Sequence, residues 1–186
     1  MSLALVQGID LSPPPDTWVP PNCKFEVDDA LKPWEFKQNG QFNLVHMRDM
    51  LGSFTDEQWR LVYKQAYNNL APGGWIEQIE TAMEVSCDDG TLPKDSLLGN
   101  FGQMFYPLFE KMGKPMDTFH HFKKRIEAGG YINVHEKMYK CPLGDWPKDP
   151  VMKEAGRFCK TQLLEGMEGY VMYVNFVFAF SSYADF

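Results

Sequence analysis

One segment of the sequence carries a helix start signal that constrains the fold more than any other feature. Thr55 can accept a hydrogen bond at the start of a helix, and Gln58, three positions later, can return one, which completes a capping box. Apolar residues then recur at helical spacing and predict one stripe that faces a core, made of Trp59, Val62, Ala66 and Leu70. The sequence Pro72-Gly73-Gly74 is expected to end this helix.

Short apolar runs before and after this helix predict β-strands. They cover residues 3–10, 24–28 and 42–47 before the helix, and residues 75–79 and 131–139 after it. Further helices are expected over 94–111, 116–128 and 151–168, and proline-rich loops over 12–21 and 141–150. The order strand, strand, strand, helix, strand predicts one α/β domain.

Composition agrees with a folded domain and excludes several classes of protein. The chain has 186 residues, 44% hydrophobic and 23% charged, which argues against disorder and against a coiled rod. The net charge of -7 makes nucleic acid a poor partner, because phosphate binding needs positive charge. No apolar run reaches the ~18 residues of a membrane span, and the start lacks a secretory signal. We therefore expect a cytoplasmic or nuclear protein with no membrane partner.

The cysteines and histidines predict no metal site. Cys23, Cys87, Cys141 and Cys159 are too far apart in sequence for the spacing of a zinc site, and we expect reduced, structural thiols. His120 and His121 are adjacent, so their side chains point about 100° apart on a helix and are poorly placed to share a metal.

Acidic residues follow the strands where a parallel sheet binds its ligands. Asp10 ends the first strand, Asp28 and Asp29 the second, and Arg48 with Asp49 the third. An acid at such a position can accept hydrogen bonds from both hydroxyls of a ribose. Two plainer readings stay open: Asp10 caps a turn with Ser12, and adjacent acids mark a solvated edge.

An ordered set of motifs makes the chain similar to a known family. They are GIDLSP at 8–13, VPPN at 19–22, FEVDD at 25–29 with Pro33-Trp34, FNLVHMR at 42–48 with Gly52-Ser53, LAPGGW at 70–75 with Glu77, Gln78 and Glu80, PLGDWPKDP at 142–150 and QLLEG at 162–166. This series resembles the fungal LaeA-like class of S-adenosylmethionine-dependent methyltransferases, regulators and tailoring enzymes of secondary metabolism. The resemblance is colinear from about Gly8 to Tyr173.

The resemblance implies a Rossmann-like class I methyltransferase sheet and a set of cofactor residues. Asp10, with Leu11 beside it, would hold the ribose of S-adenosylmethionine. Asp28, Asp29 and Ala30 would lie near the adenine, and Met47 with Arg48 would line the methionine side. The helices between 94 and 128 would form the pocket for a small-molecule acceptor. No catalytic residue is assigned, and for His46 a packed core position is favoured over a base.

The resemblance also implies an incomplete fold. The family's first strand and Gly-rich loop would precede Met1, and no G-x-G pattern occurs in this sequence. The strands at 3–9 and 42–47 would then pair with each other, or another segment would fill the slot between them. We expect a partial methyltransferase domain over 1–173 and an atypical apolar tail over 174–186. That tail is either a segment without a selected role or a substitute strand at 174–180.

Three functions stay open on the sequence. The first is methylation of a small-molecule or protein acceptor. The second is a methyltransferase-derived protein without methyl transfer, which binds or cyclises a natural product in its pocket. The third is a regulatory partner protein, in which a homo-oligomer or a partner chain covers the exposed sheet and the apolar tail.

Overall fold

The computed structural model describes residues 4–12, 19–36, 42–116 and 118–181, with side chains throughout these ranges except at 118, 119, 170 and 173–181. The chain forms two compact units, Met1–Val134 and His135–Phe186. The predicted division of the chain at residue 173 stays a prediction. Prolines 13 to 15 of the first predicted loop lie outside the described residues.

The first unit contains four strands, three α-helices and one 3₁₀ turn in its described residues. The strands are β1 (Val6–Asp10), β2 (Cys23–Val27), β3 (Phe42–Arg48) and β4 (Leu70–Ile79). The helices are α1 (Asp56–Asn69), α2 (Phe101–Lys111) and α3 (Phe122–Ala128), with the 3₁₀ turn at Thr118–His121 before α3. The predicted strands at 3–10, 24–28 and 42–47 are confirmed with shifts at their ends.

The strands form two separate parallel pairs. In one pair β1 lies beside β2, with Val6 opposite Cys23 and Asp10 opposite Val27. In the other, β3 lies beside β4, with Arg48 opposite Ile79. Among the described strands, β1 therefore does not pair with β3, and none pairs with both of them. The observed architecture is mixed α/β with small parallel sheets.

Helix α1 begins and packs as its sequence predicts. The backbone N–H of Gln58 donates to the Thr55 hydroxyl at 3.3 Å, and the Gln58 side-chain oxygen accepts from the Thr55 N–H at 2.9 Å. The predicted stripe of Trp59, Val62, Ala66 and Leu70 is buried. Tyr63 is buried as well, and the core cluster of this unit consists of Phe54, Trp59, Val62, Tyr63, Phe122 and Ile126.

Two predicted boundaries are wrong for local reasons. Strand β4 begins at Leu70, directly after α1, and includes the Pro72-Gly73-Gly74 turn residues that were expected to precede it. Helix α2 begins at Phe101 instead of 94. The Ser96 hydroxyl donates to the Pro93 carbonyl at 2.7 Å and accepts the Gly99 N–H at 3.0 Å. Such local side-chain bonds compete with helical ones.

The strand predicted over 131–139 is also wrong. These residues form no strand in the structure, and Asn133 has a positive φ of 57°, which interrupts an extended backbone. Tyr131 is instead anchored by its hydroxyl, which donates to the Tyr63 carbonyl at 3.1 Å. Alternation alone favoured a strand, but none of the four described strands pairs with residues 131–139.

The second unit is built on one long helix, α4 (Pro150–Ser181). Asp149 precedes it, and its carboxylate accepts the Met152 N–H at 2.9 Å, which satisfies an otherwise unpaired donor of the first turn. The helix was predicted to end near 168 but its backbone continues to Ser181, so the alternative of a strand at 174–180 is wrong. Within the described ranges, α4 and the shorter helices all lack the length or the apolar character needed to span a membrane.

Candidate functional site

The carboxyl ends of β1 and β2 bring two of the predicted acids together. The Asp28 N–H donates to the Asp10 carbonyl at 2.9 Å, so the two residues lie side by side at one edge of the sheet. The Asp10 carboxylate accepts the Ser12 N–H at 2.9 Å, as the turn-cap reading predicted. This bond occupies Oδ1 and fixes the direction of an exposed carboxylate. Leu11, next to it, is largely exposed.

The backbone after β2 forms a tight polar turn through the other predicted residues. The Asp28 carboxylate accepts the Asp29 N–H at 2.8 Å, and the Asp29 carboxylate accepts the Leu31 N–H at 2.9 Å. The Ala30 carbonyl accepts the indole N–H of Trp34 at 3.0 Å. The turn is therefore held by its own side chains, and Ala30 lies beside an aromatic ring.

Gln65 of α1 holds this turn from the helix side. Its amide nitrogen donates to the Ala30 carbonyl at 2.9 Å, and its amide oxygen accepts the Trp34 N–H at 3.1 Å. One side chain thus connects both ends of the 30–34 turn to the helix. Sequence reasoning missed Gln65, because nothing local distinguishes a half-buried glutamine from a solvated one on a helix.

The carboxyl ends of β3 and β4 carry the second group of predicted residues. Met47 packs against the core cluster, whereas Arg48 is exposed and pairs with Asp49, with 3.3 Å between Nε and Oδ2. Asp49 has a φ of 53°, in the left-handed region that few non-glycine residues adopt. Its N–H donates to the Ile79 carbonyl at 3.1 Å, so β4 holds this turn in place.

Glu80 anchors the loop that follows. Its Oε2 accepts the N–H groups of Met50 at 2.9 Å and Leu51 at 3.2 Å. Its Oε1 accepts the Gln78 amide at 2.8 Å, and Gln78 in turn accepts the Tyr63 hydroxyl at 2.7 Å. Burial raises the pKa of Glu80 above its usual range, and burial likewise raises the pKa of the Tyr63 phenol.

The structure therefore places the seven predicted cofactor residues in two groups. Asp10, Leu11, Asp28, Asp29 and Ala30 lie at the β1–β2 edge, and Met47 with Arg48 lies at the β3–β4 edge. Ala30 and Met47 pack against the same core cluster under α1. Chemically, the first edge offers carboxylates that accept hydrogen bonds from hydroxyl or amino groups, and the second offers a cation.

The histidines lie outside both groups. The expectation that His46 is a packed core residue is wrong: its side chain is 44% exposed, and Nδ1 lies 2.8 Å from a Glu77 carboxylate oxygen. It points to the face of β3–β4 opposite α1, where Leu44 and Trp75 are 51% and 66% exposed. His120 and His121 are exposed near the start of α3. The described residues include no group of three His, Cys, Asp or Glu side chains placed to hold a metal ion.

The segment predicted to form the acceptor pocket buries several of its aromatic side chains. Phe101, Phe105 and Phe109 form a buried stripe on α2, while Met104 is half exposed. A cavity of about 400 Å³ lies in the second unit. Its lining consists of Leu143, Gly144, Asp145, Trp146, Lys160, Leu163 and Leu164.

Comparison with curated proteins finds relatives among fungal methyltransferases and regulators. The chain is 36% identical over 166 residues to the methyltransferase pytC of Aspergillus terreus, which covers 89% of this chain and 50% of that protein. It is 36% identical over 167 residues to the secondary metabolism regulator LAE1 of Cochliobolus heterostrophus, with 89% of this chain and 53% of the relative covered. It is 30% identical over 143 residues to the probable methyltransferase tdiE of Emericella nidulans, with coverages of 77% and 44%.

These matches confirm the resemblance to LaeA-like methyltransferases. The chain spans about half the length of the curated relatives it matches. No family model matches the chain. No solved structure matches it either.

Proposed function

We propose that this chain, which is related in sequence to the fungal LaeA-like methyltransferases along most of its length, works as part of an S-adenosylmethionine-dependent methyltransferase of secondary metabolism. One observation carries the proposal: the acidic turns at the carboxyl ends of the strands are held in place by dedicated side chains, Gln65 and Glu80. Acidic residues that only contact solvent would not require other side chains to hold their backbone in place. Relatives named as methyltransferases imply use of S-adenosylmethionine in general.

The proposed cofactor contacts follow the two groups of residues. Asp10, whose carboxylate direction is set by the Ser12 N–H, would accept the ribose hydroxyls, with Leu11 beside it. Asp28, Asp29 and Ala30 would contact the adenine, next to the Trp34 ring. Met47 would provide apolar contact along the methionine part, and Arg48 would pair with its carboxylate.

The rate of methyl transfer depends mainly on how the reactants are positioned and does not require a strong base. S-adenosylmethionine supplies a methyl group on a positively charged sulfur, and transfer to a nucleophile leaves a neutral thioether. The chain would therefore contribute by holding the cofactor and by excluding water, which lowers the barrier without a strong proton acceptor. The acceptor in this proposal is a small molecule, bound beside the helices between 94 and 128.

The uncovered sheet faces support a partner chain as part of the same proposal. Leu44 and Trp75 on the β3–β4 pair, and Phe25 and Val27 on the β1–β2 pair, expose between 45% and 66% of their surface. Parallel sheets are otherwise covered on both faces, because the helices that connect their strands pack on those faces. We propose that a second copy or a partner chain covers these faces and the apolar tail at 174–186. The four free thiols favour action in the cytoplasm or nucleus.

This partner surface also supports the second candidate function, a regulatory protein without methyl transfer. In that case the exposed faces would be the functional surface, and the acidic turns would be structural. Sedimentation at increasing protein concentration tests it, with and without residues 174–186. An increase in mass that needs the tail supports a partner role for the tail.

Titration calorimetry with S-adenosylmethionine tests the first proposal. We expect saturable binding by the unmodified chain, at least about tenfold weaker binding by Asp10→Ala, and unchanged binding by Glu154→Ala. Glu154 is an exposed acid on α4, so its removal changes the net charge equally. No heat and no thermal shift at millimolar ligand, or binding unaffected by Asp10→Ala, would overturn the cofactor proposal for this chain.

A further inference from the structure

The loop before α4 packs closely against that helix. The Gly144 N–H donates to the Gly156 carbonyl at 3.1 Å. Both glycines and Pro142 are buried, and a Cβ on Gly156 would lie 3.2 Å from the Pro142 Cβ. The loop backbone thus touches the helix at a position where no side chain separates them.

This contact brings together two cysteines that are 18 positions apart in sequence. Cys141 directly precedes Pro142, and Cys159 follows Gly156 by three positions, on the same face of the helix. The Pro142 side chain lies against Gly156, one helical turn before Cys159, and burial together with the neighbouring Cys141 raises the pKa of Cys159. Cys141 Sγ also lies 3.8 Å from the Pro142 carbonyl oxygen. The loop packing therefore brings Cys141 to the part of the helix that carries Cys159.

The other two cysteines lie in the first unit and have different surroundings. Cys23 is the first residue of β2. Cys87 lies in an exposed turn, where its thiol donates a hydrogen bond to the Asp89 carboxylate at 2.7 Å. They serve as internal references for any reaction of the thiols.

We propose that Cys141 and Cys159 are a dithiol site that forms a reversible disulfide with oxidised glutathione or another small-molecule disulfide as the oxidant. This proposal does not depend on methyl transfer or on cofactor binding. It goes beyond the expectation that all four thiols are structural.

The chemistry follows from the exposure of the two thiols. Cys141 is exposed, whereas burial, and after it the neighbouring Cys141, raises the pKa of Cys159. The Cys141 thiolate attacks one sulfur of oxidised glutathione, forms a mixed disulfide and releases one glutathione thiolate, which takes up a proton. Cys159 loses its proton to solvent, attacks the Cys141 sulfur and releases the second glutathione. Two thiols and one glutathione disulfide thus become one protein disulfide and two glutathione thiols, with two electrons passed to glutathione.

The proposed disulfide would link the two walls of the cavity in the second unit. The lining of this cavity comes from the loop, through Leu143 to Trp146, and from α4, through Lys160, Leu163 and Leu164. A covalent link between 141 and 159 would hold these two walls together. Oxidation would therefore slow any opening of the loop away from the helix.

Mass spectrometry of the whole chain tests the proposal. The chain is incubated in glutathione buffers of graded potential, quenched in acid, alkylated and digested. We expect one crosslinked peptide pair that joins Cys141 to Cys159, the loss of two hydrogen atoms in intact mass, and alkylation of Cys23 and Cys87. Reduction with excess glutathione should restore four alkylated thiols.

Single-residue variants distinguish the cysteine that attacks glutathione disulfide from the cysteine that completes the protein disulfide. Cys159→Ser should stop at a stable glutathione adduct on Cys141, since no second thiol can displace it, whereas Cys87→Ser should leave the crosslink unchanged. Cleavage after Lys148 should be roughly tenfold slower in the oxidised chain, because proteolysis follows the open population of the loop.

Several results would overturn the proposal. They are a crosslink between another pair, separate glutathione adducts on both Cys141 and Cys159 of the unmodified chain, or no product at oxidising potential. These measurements need only the unmodified chain, so a variant that fails to fold does not affect them.

Discussion

The carboxylate of Glu80 accepts the backbone N–H of Met50 at 2.9 Å, across the turn that joins β3 to α1. The same oxygen accepts the N–H of Leu51 at 3.2 Å. The strand end of β4 thereby sets the course of the chain directly after Met47 and Arg48, two of the proposed cofactor residues.

Removing the Glu80 carboxylate should destabilise the first unit. In Glu80→Ala the N–H groups of Met50 and Leu51 lose their acceptor in a half-buried site, which costs about 1–3 kcal/mol of unfolding free energy for each group left unpaired. Glu80→Gln keeps an oxygen acceptor and should lose less. Urea unfolding followed by fluorescence measures the difference. Glu84→Ala, at an exposed position nearby, is the control. An unfolding free energy equal to that of the control would show that the anchor contributes nothing.

Stability should depend on pH through the same carboxyl group. Burial raises the folded-state pKa of Glu80 above its ordinary value of 4.5, so the folded chain binds a proton that the unfolded chain has already released. Its contribution to unfolding free energy therefore falls as pH rises from the ordinary pKa through the raised one. Glu80→Gln cannot titrate, so the difference between the two chains should change across this window. A difference that is constant with pH would contradict the raised pKa.

Replacing Gln65 should loosen the turn at residues 30–34. Gln65→Ala removes both hydrogen bonds, to Ala30 and from Trp34, each worth about 0.5–1.5 kcal/mol in net stability. Gln103→Ala on α2 is the matched control, because it is the same change at an exposed helical position and brings the same gain in helix propensity. Urea unfolding followed by circular dichroism measures the effect. Equal stability of the two variants would show that the Gln65 bonds have no net value.

Two glycines of α4 should respond in opposite directions to the same substitution. A Cβ on Gly156 would lie 1.9 Å from the Gly144 carbonyl oxygen, so Gly156→Ala must push the loop away, at roughly 1–3 kcal/mol. Gly169 has nothing within 4 Å of such a Cβ, so Gly169→Ala should stabilise the helix by about 0.5–1 kcal/mol. Thermal unfolding by circular dichroism compares them. Similar effects of both changes would show that the loop does not pack on Gly156. The Gly156 variant should also slow formation of the Cys141–Cys159 disulfide.

Much of the first unit could be read from local patterns. The capping box at Thr55 and the stripe from Trp59 to Leu70 predict α1 because each signal involves residues within a few positions of one another. The strands at β1, β2 and β3 are short apolar runs, and their acids follow where the chain leaves the sheet. The placement of Asp10 beside Asp28 follows from parallel pairing.

The same patterns failed where the outcome depends on a distant partner. Residues 131–139 alternate like a strand but have no strand beside them, and 174–180 favour a strand by residue type but continue α4. His46 lies in an apolar run, yet the face on which it lies is uncovered and it pairs with Glu77. In each case the local sequence favours one conformation or degree of burial, and segments distant in sequence determine whether it forms.

The order of elements from β1 to β4, α1 with its core stripe and the acids at the strand ends were thus determined by the sequence alone, because hydrogen bonds and side-chain periodicity over a few residues suffice for them. Tertiary structure decided the rest. It split the strands into two pairs, directed Gln65 and Glu80 to the turns that they hold, and packed the loop that follows Cys141 against the helix that carries Cys159. Those contacts join residues between 12 positions apart, for Gly144 and Gly156, and 35 positions apart, for Ala30 and Gln65, and they form only when the chain has folded back on itself.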